Sequence, residues 1–455
     1  MNALQQSFGL AAKPAWPVDR IKDHVSKIGS GITPSGGAAS YLDAGIPLLR
    51  SQNVHFDGLR LDDVAYISEE THEEMSGTQL RARDVLLNIT GASIGRCAFV
   101  PDGFGEGNVN QYVCIIRPAA TVNYKFLTYC LSAPWGQDQI FSSFTGASRQ
   151  GLGQRDLGEI QVPLPPLPEQ QRIAAYLDAS CAAIDAAVAA KRRQLETLDA
   201  LRKSAASQVL SQGLRPGMPQ RHSGIESIGL IPAHWDVKQL RYACEVNYGI
   251  TLQLEKGQSA GDGVRILTVS NITIDGNLDL EDKYYIDLAD VTKADYLRRG
   301  DLLFNWRNGS QYHVGKTAFF DLEGEFAHVS FLLRLRCGHK MYPFFLRSYL
   351  GVLKDAGFFS GAKDKVNKTF NSTELNRLRV VIPPMDEQKE ICREIERRAK
   401  EVNDVKAAIE TQIATLTAYR KSLIHECVTG QRRIMESDAQ RAAAQLRFDN
   451  PCPKG

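Results

Sequence analysis

The chain has 455 residues, 54 Lys plus Arg against 52 Asp plus Glu, and a formal net charge of only +2. With 43% hydrophobic and 23% charged residues, it has an ordinary globular composition, with length for about two to four domains; a disordered or collagen-like chain is excluded. Near-neutrality also argues against a nucleic-acid binder that works by bulk positive charge.

In chain order, the N-terminal stretch Met1–Trp16 has no basic segment ahead of an apolar one, so no secretory signal is expected. No run approaches the roughly 18 apolar residues of a membrane span. The nine cysteines are scattered without a C-x-x-C pair. That argues against a disulfide framework or a zinc ribbon and for a reducing, cytoplasmic setting. The first 165 or so residues read as short strands broken by Gly, Asn and Asp, with some helix. Asp84–Ile89 and Tyr112–Ile116 are apolar runs of buried-strand length. The character changes at Pro165–Pro166. From Glu169 to Gln212 there is no Pro or Gly, and Leu177, Cys181, Ile184, Val188, Leu195, Leu198, Ala205 and Val209 follow an alternating four-three spacing. That is the seam of a coiled-coil helix, on the order of 65–70 Å long and closed by Gly213. Turn formers fill Leu214–Gly224, which marks a join.

The pattern then runs again. Trp16 recurs as Trp235, Gly31-Ile32-Thr33 as Gly249-Ile250-Thr251, and Asn53 as Asn271. Asp84-Val-Leu-Leu recurs as Asp301-Leu-Leu-Phe, Pro-Pro-x-x-Glu169-Gln170 as Pro-Pro-x-x-Glu387-Gln388, and Gly213 as Gly430. A nearly constant offset over some 200 residues marks an internal duplication. The second seam reads Ile391, Ile395, Val402, Val405, Ile409, Leu416, Tyr419 and Leu423. Two such helices bury their seams most simply on each other, either antiparallel with a pseudo-twofold axis or parallel with the heads side by side. Residues after Gln431 read as a loosely ordered tail.

Two related heads on a fixed spacer suit a partner with two elements at a set distance, such as a split site on double-stranded DNA. Here the sequence resembles the specificity subunits of type I restriction–modification systems over nearly its whole length. The resemblance rests on Ser223–Trp235, on Pro163–Ile173 with Ile382–Gln388, on Asp84–Arg96, on Asn108–Gln111 and on Val428–Gly430. It implies an α+β fold class: two α/β target-recognition domains related by duplication and separated by two long antiparallel coiled-coil helices. The expected boundaries are 1–165 and 225–382 for the recognition domains, 166–213 and 383–430 for the helices, 214–224 for the linker and 431–455 for the tail. It also implies a non-catalytic chain that reads a bipartite, asymmetric site and docks two methyltransferase subunits and, through them, restriction subunits. S-adenosylmethionine, ATP and Mg are then expected on those partners, with no cofactor on this chain.

The residues agree. There is no G-x-x-x-x-G-K-[ST] loop, no N/D-P-P-Y/F tetrapeptide and no H-E-x-x-H. Gly103-Phe-Gly105-Glu-Gly107 does not open a long helix, and His425-Glu-Cys427 lies near a helix end, where metal binding is not expected. The competing functions are a stand-alone DNA methyltransferase or nuclease, and a protein-only coiled-coil scaffold. Candidate DNA contacts are chosen for side chains that match base edges or phosphates. In the first head these are Arg50, Gln52, Thr90, Ser93, Arg96, Ser148, Arg149 and Gln150. In the second they are Asn305, Arg307, Asn308, Ser310, Lys363, Lys365 and Lys368. Asn53 and Asn271, being shared by heads that should read different bases, are expected to be structural.

Overall fold

The computed structural model describes residues 14–145, 151–251, 263–287, 291–293, 295–307, 314–360 and 370–449. The chain divides into two compact units, one of residues 1–192 with 410–455, the other of residues 193–409. The long helices Leu167–Gln212 and Met385–Thr429 each contribute one portion to each unit.

In the first unit a four-stranded antiparallel sheet runs in the order Val25–Ser30, Val113–Pro118, Val85–Asn88, Cys97–Phe99. A second sheet, Ala65–Ile67, Ile46–Leu49, Asn108–Val109, is mixed, its last pair parallel. The second unit repeats the four-strand order with Cys244–Tyr248, Leu332–Cys337, Leu302–Asn305 and Thr317–Phe319. Its smaller sheet, Tyr284–Ile286, Val264–Leu267, Phe326–His328, likewise ends in a parallel pair. The central strands Val85–Asn88 and Leu302–Asn305 are buried at every residue, which is why both read as unbroken apolar runs.

The letters that recur in the sequence do the same work in each unit. Asp84 is fully buried, and Arg117 clamps both its carboxylate oxygens at 2.7 Å. Asp301 is held by Arg336 at 2.8 and 2.7 Å. Gln170 is buried at the start of the first long helix. Its oxygen accepts from the Asn123 N–H, and its amide donates to the Pro165 and Thr121 carbonyls. Gln388 repeats this with Tyr342, Pro383 and Lys340. Each glutamine thus staples a long helix to the head beside it. Gly31 and Gly249 have no room for a Cβ: it would stand 1.9 Å from the Val109 carbonyl oxygen in one unit and 2.1 Å from that of His328 in the other.

Within the first unit, Leu177, Cys181 and Ile184 share a core with Leu423, Ile424, Cys427 and Val428. Asp185 pairs with Arg420 at 3.1 Å, and the Arg432 guanidinium lies 5.8 Å from the Tyr176 ring. Rising numbers on one helix meet falling numbers on the other, so the portions run antiparallel there. Within the second unit Asp199 pairs with Lys406 at 2.8 Å, and Gly213 faces Trp235 and Glu387, again antiparallel. Both helices end on their expected glycines, Gly213 and Gly430, at φ 72° and 78°.

Three expectations need correction. Val405 and Tyr419 are 48% and 47% exposed, so they leave the seam: a strict seven-residue repeat drifts around a 3.6-residue helix. The tail is not loose through its first part, because Ile434 is buried in the first unit's core and Glu436–Asp449 is a helix. The Asp438 carboxylate accepts from the Met435 N–H and starts that helix. Lastly, the first long helix holds an 18-residue window of mean hydropathy 1.5, apolar enough by composition for a membrane span. Asp178 and Asp185 are ion-paired to Lys125 and Arg420, and Ile173, Leu177 and Cys181 are core residues. Alanine content explains the hydropathy, and packing explains the helix.

Candidate nucleic-acid interface

In the first unit Asn88 ends a central strand fully buried. Its amide donates to the Ser51 carbonyl at 2.8 Å and to Ser93 Oγ at 3.2 Å. That strut brings two short 3-10 turns together, Ser51–Asn53 and Gly91–Ser93. Asn53 fixes the first turn from inside: its oxygen accepts from the Arg50 N–H, and its amide donates to the Arg60 and Asp63 carbonyls. Asn271 is buried and does the same with Thr268, Asp279 and Asp282. Both are structural, as their presence in both heads implies.

Between the two turns is an open recess of about 990 Å³, lined by Ser51, Gln52, Thr90–Ser93, Arg96 and Tyr112. Four of the residues chosen from sequence, Gln52, Thr90, Ser93 and Arg96, therefore converge. Gln52 is exposed and donates to Asp63 at 2.6 Å. The Arg96 guanidinium has no ion pair among the described residues. Arg50 is not among the lining residues. Its side chain is turned to the Asp63 carbonyl at 3.2 Å and lies 5.6 Å from the Tyr41 ring, so it braces the turn. Gly151 is bridged to Thr90 at the recess rim.

The recess also holds a residue the sequence reading missed. Tyr112 immediately precedes the strand Val113–Pro118 and is 44% exposed. A lone aromatic ahead of an apolar run gives no periodic signal. Its second-unit counterpart is Phe331, which immediately precedes Leu332–Cys337, is 47% exposed, and has the Arg307 guanidinium 5.8 Å from its ring centre. An exposed aromatic at one structural place in both units is an observation that neither copy gives alone.

Other second-unit candidates divide. Arg307 is exposed, as a contact residue must be. Asn305 is not: it is fully buried, and its oxygen accepts from the Arg307 N–H at 3.3 Å. It ends its strand as Asn88 does and is held inside the unit instead of facing solvent. Trp306 packs inward, with its indole N–H on the Ser330 carbonyl at 2.7 Å. Ser148, Arg149, Gln150, Asn308, Ser310, Lys363, Lys365 and Lys368 lie outside the described residues. The segments after two of those stretches re-enter at matching places, Leu152 N–H on the Ile89 carbonyl and Phe370 N–H on that of Trp306, both at 2.8 Å.

The chemistry available is a carboxamide, three hydroxyls, a guanidinium and a phenol ring on one open face. Such a set can hydrogen-bond base edges, grip phosphate and make apolar contact with a base. No group of three or more His, Cys, Asp or Glu side chains could hold a metal ion among the described residues. Cys427 beside His425 is a core thiol, pushed up to about 12 by burial.

Comparison with known proteins gives a consistent result. A family model described as type I restriction modification DNA specificity domain matches residues 24–197. The chain is 21% identical over 426 residues to the type I restriction enzyme EcoKI specificity subunit of Escherichia coli K12, covering 91% of this chain and 86% of that one. Two solved structures share the fold. A chain from a type I R-M system assembly matches with a TM-score of 0.68 at 17% identity, over 93% of this chain and 99% of its own. The HsdS subunit from Thermoanaerobacter tengcongensis matches at 0.53 and 18%, over 92% and 98%.

Proposed function

We propose, for a chain that belongs to the specificity subunits of type I restriction–modification systems, that each unit reads one half of a bipartite, asymmetric DNA site. The observation that carries this reading is the recess of Gln52, Thr90, Ser93, Arg96 and Tyr112, together with its counterpart edge at Arg307 and Phe331. The supporting struts are alike in the two units, and the outward side chains differ. An internal duplication has that consequence when two copies keep one scaffold and read different bases. Tyr112 and Phe331 supply apolar contact, while the polar groups around them supply hydrogen bonds to base edges and phosphates.

The long helices act as an antiparallel coiled-coil spacer whose length sets the unread gap. They also dock two methyltransferase subunits and, through them, the restriction subunits, in the cytoplasm of a prokaryote. Methyl transfer and cleavage, with S-adenosylmethionine, ATP and Mg, belong to those partners, and this chain supplies no catalytic group. Its recognition domains are residues 1–165 and 225–382.

The test is footprinting of the complex with its methyltransferase partner on a pool of random duplexes, followed by matched seven-residue deletions from both long helices. Such a deletion removes about 10.5 Å of helix, or about three base pairs at 3.4 Å each. The expected result is a split site whose gap shortens by that amount, or whose binding is lost through misphasing. Protection of the same gap, or equal protection of all sequences at moderate salt, would refute the reading.

A further inference from the structure

The second unit holds a cavity of about 640 Å³ that includes none of the candidate DNA contacts. Seven cationic side chains line it, against four carboxylates. Three of the cations are neutralised locally, Lys406 by Asp199, Lys203 by Asp355 and Arg398 by Glu394. Two others are buried or half-buried and have no carboxylate in ion-pair range among the described residues. Lys316 is only 8% exposed, and its ammonium donates to the Ile272 carbonyl at 3.0 Å. The Arg347 guanidinium donates to neutral oxygens alone, the Gly276 carbonyl at 2.9 Å and Asn277 Oδ1 at 3.2 Å.

Holding positive charge out of water without an anion is unfavourable. Burial pulls both groups below their ordinary values. The nearby Lys354 adds to this for Lys316, and Glu396 offsets part of it for Arg347. Part of the arrangement is private to this unit. Lys316 stands where the first unit has Arg96, each supplying the carbonyl that accepts from its buried strand-end asparagine, Asn305 or Asn88. The position of Arg347, two residues beyond Phe345 on its helix, is Thr128 beyond Phe126 in the first unit. The guanidinium at 347 is therefore specific to the second unit, whereas a cation at the place of Lys316 is common to both.

We infer that this cavity is a phosphate-binding site, with the planar guanidinium of Arg347 and the ammoniums of Lys316 and Lys354 as its ligands. A guanidinium fork matches two phosphate oxygens, and lysines serve as point charges beside it. The surplus of cations over Asp275 and Glu396, the two lining carboxylates without an ion pair among the described residues, favours a phosphate over a carboxylate ligand. The phosphate is carried either by a free phosphomonoester or by the DNA backbone.

The experiment uses the full chain with inorganic phosphate as probe and chloride at matched ionic strength as control, read by melting temperature and calorimetry. A ligand that binds only the folded state raises the melting temperature saturably. Arg347→Gln and, because that change also frees the turn at 275–277, Lys354→Gln separately should each weaken phosphate binding by about tenfold or more. Displacement of phosphate by a duplex lacking the recognition site identifies the backbone as the source. Phosphate binding that a duplex leaves unchanged identifies a free phosphomonoester. Stabilisation no greater than that by chloride, or wild-type phosphate binding by both variants, would overturn the inference. Neither result depends on which half-sites are read.

Discussion

Asp84→Asn probes the strut system most directly. Asp84 has no exposed surface, and it accepts two bonds from Arg117 at 2.7 Å and one from the Arg81 N–H at 2.8 Å. An asparagine keeps the shape but offers one oxygen and an NH2 group to a guanidinium, leaving a cation whose side chain is 17% exposed without its anion. Breaking a buried ion pair from one side costs about 3–5 kcal/mol. Arg117 retains some solvent and a 3.3 Å bond to the Gln79 carbonyl, which places the loss near 3 kcal/mol. At about 2–4 °C per kcal/mol for a unit of this size, the first unit's transition should fall by about 6–12 °C. Calorimetry of the full chain should show that one transition move and the second unit's stay, and Asp301→Asn should do the reverse. Adding Arg117→Met should recover at least half the loss, because the unpaired charge, not the missing attraction, dominates. A single variant within 1 kcal/mol of wild type, or a double variant no better than the single, would refute this account.

Tyr112→Ala should cut discrimination at one half-site and Phe331→Ala at the other, each by about 1–3 kcal/mol, measured by competition between duplexes altered in one half; equal effects on both halves would break the assignment of one half to each unit. His328 is 1% exposed, and burial, with the nearby Arg334, lowers it to about 4. The unfolded chain therefore takes up a proton near pH 6.5 that the folded ring refuses, so stability is full above that pH and falls as pH drops towards 4. Urea unfolding should show the second unit losing about 2 kcal/mol between pH 7 and 5, and His328→Leu should flatten that dependence. Asp199→Ala, which removes a half-exposed pair with Lys406, should cost less than about 1 kcal/mol in the same assay.

Much of the scaffold was legible because the recurring sequence pattern shows each structural requirement twice. The paired glycines at 31 and 249, the paired carboxylates at 84 and 301 and the paired glutamines at 170 and 388 stood out as matched letters before their jobs were visible. The site was legible only in its polar part. Gln52, Thr90, Ser93 and Arg96 have chemistry that names them, whereas Tyr112 owes its exposure to the turn that precedes its strand, which is tertiary information. Asn305 misled for the opposite reason, since an asparagine beside an arginine reads as base-recognition chemistry when its real partner is its neighbour's backbone. The seam failed at Val405 and Tyr419 because a four-three spacing specifies an average period, not which residues a 45-residue helix keeps covered.

The charge balance now has a physical meaning. Residues 1–165 carry 13 basic and 16 acidic groups and residues 214–382 carry 22 and 19, so neither segment has the surplus of positive charge that bulk attraction to DNA needs. Arg96 is the one cation among the described residues that lines the first unit's recess, and on the second unit's edge Arg307 rests against Phe331. Affinity from these edges alone would be weak and only shallowly dependent on salt. What a few contacts can do well is discriminate, because each unmatched hydrogen bond or apolar contact is a large share of a small total. A sequence-independent grip, wherever it sits, raises binding to every sequence alike and leaves the ratio between sequences unchanged, so such edges can set the discrimination while phosphate contacts elsewhere set the affinity.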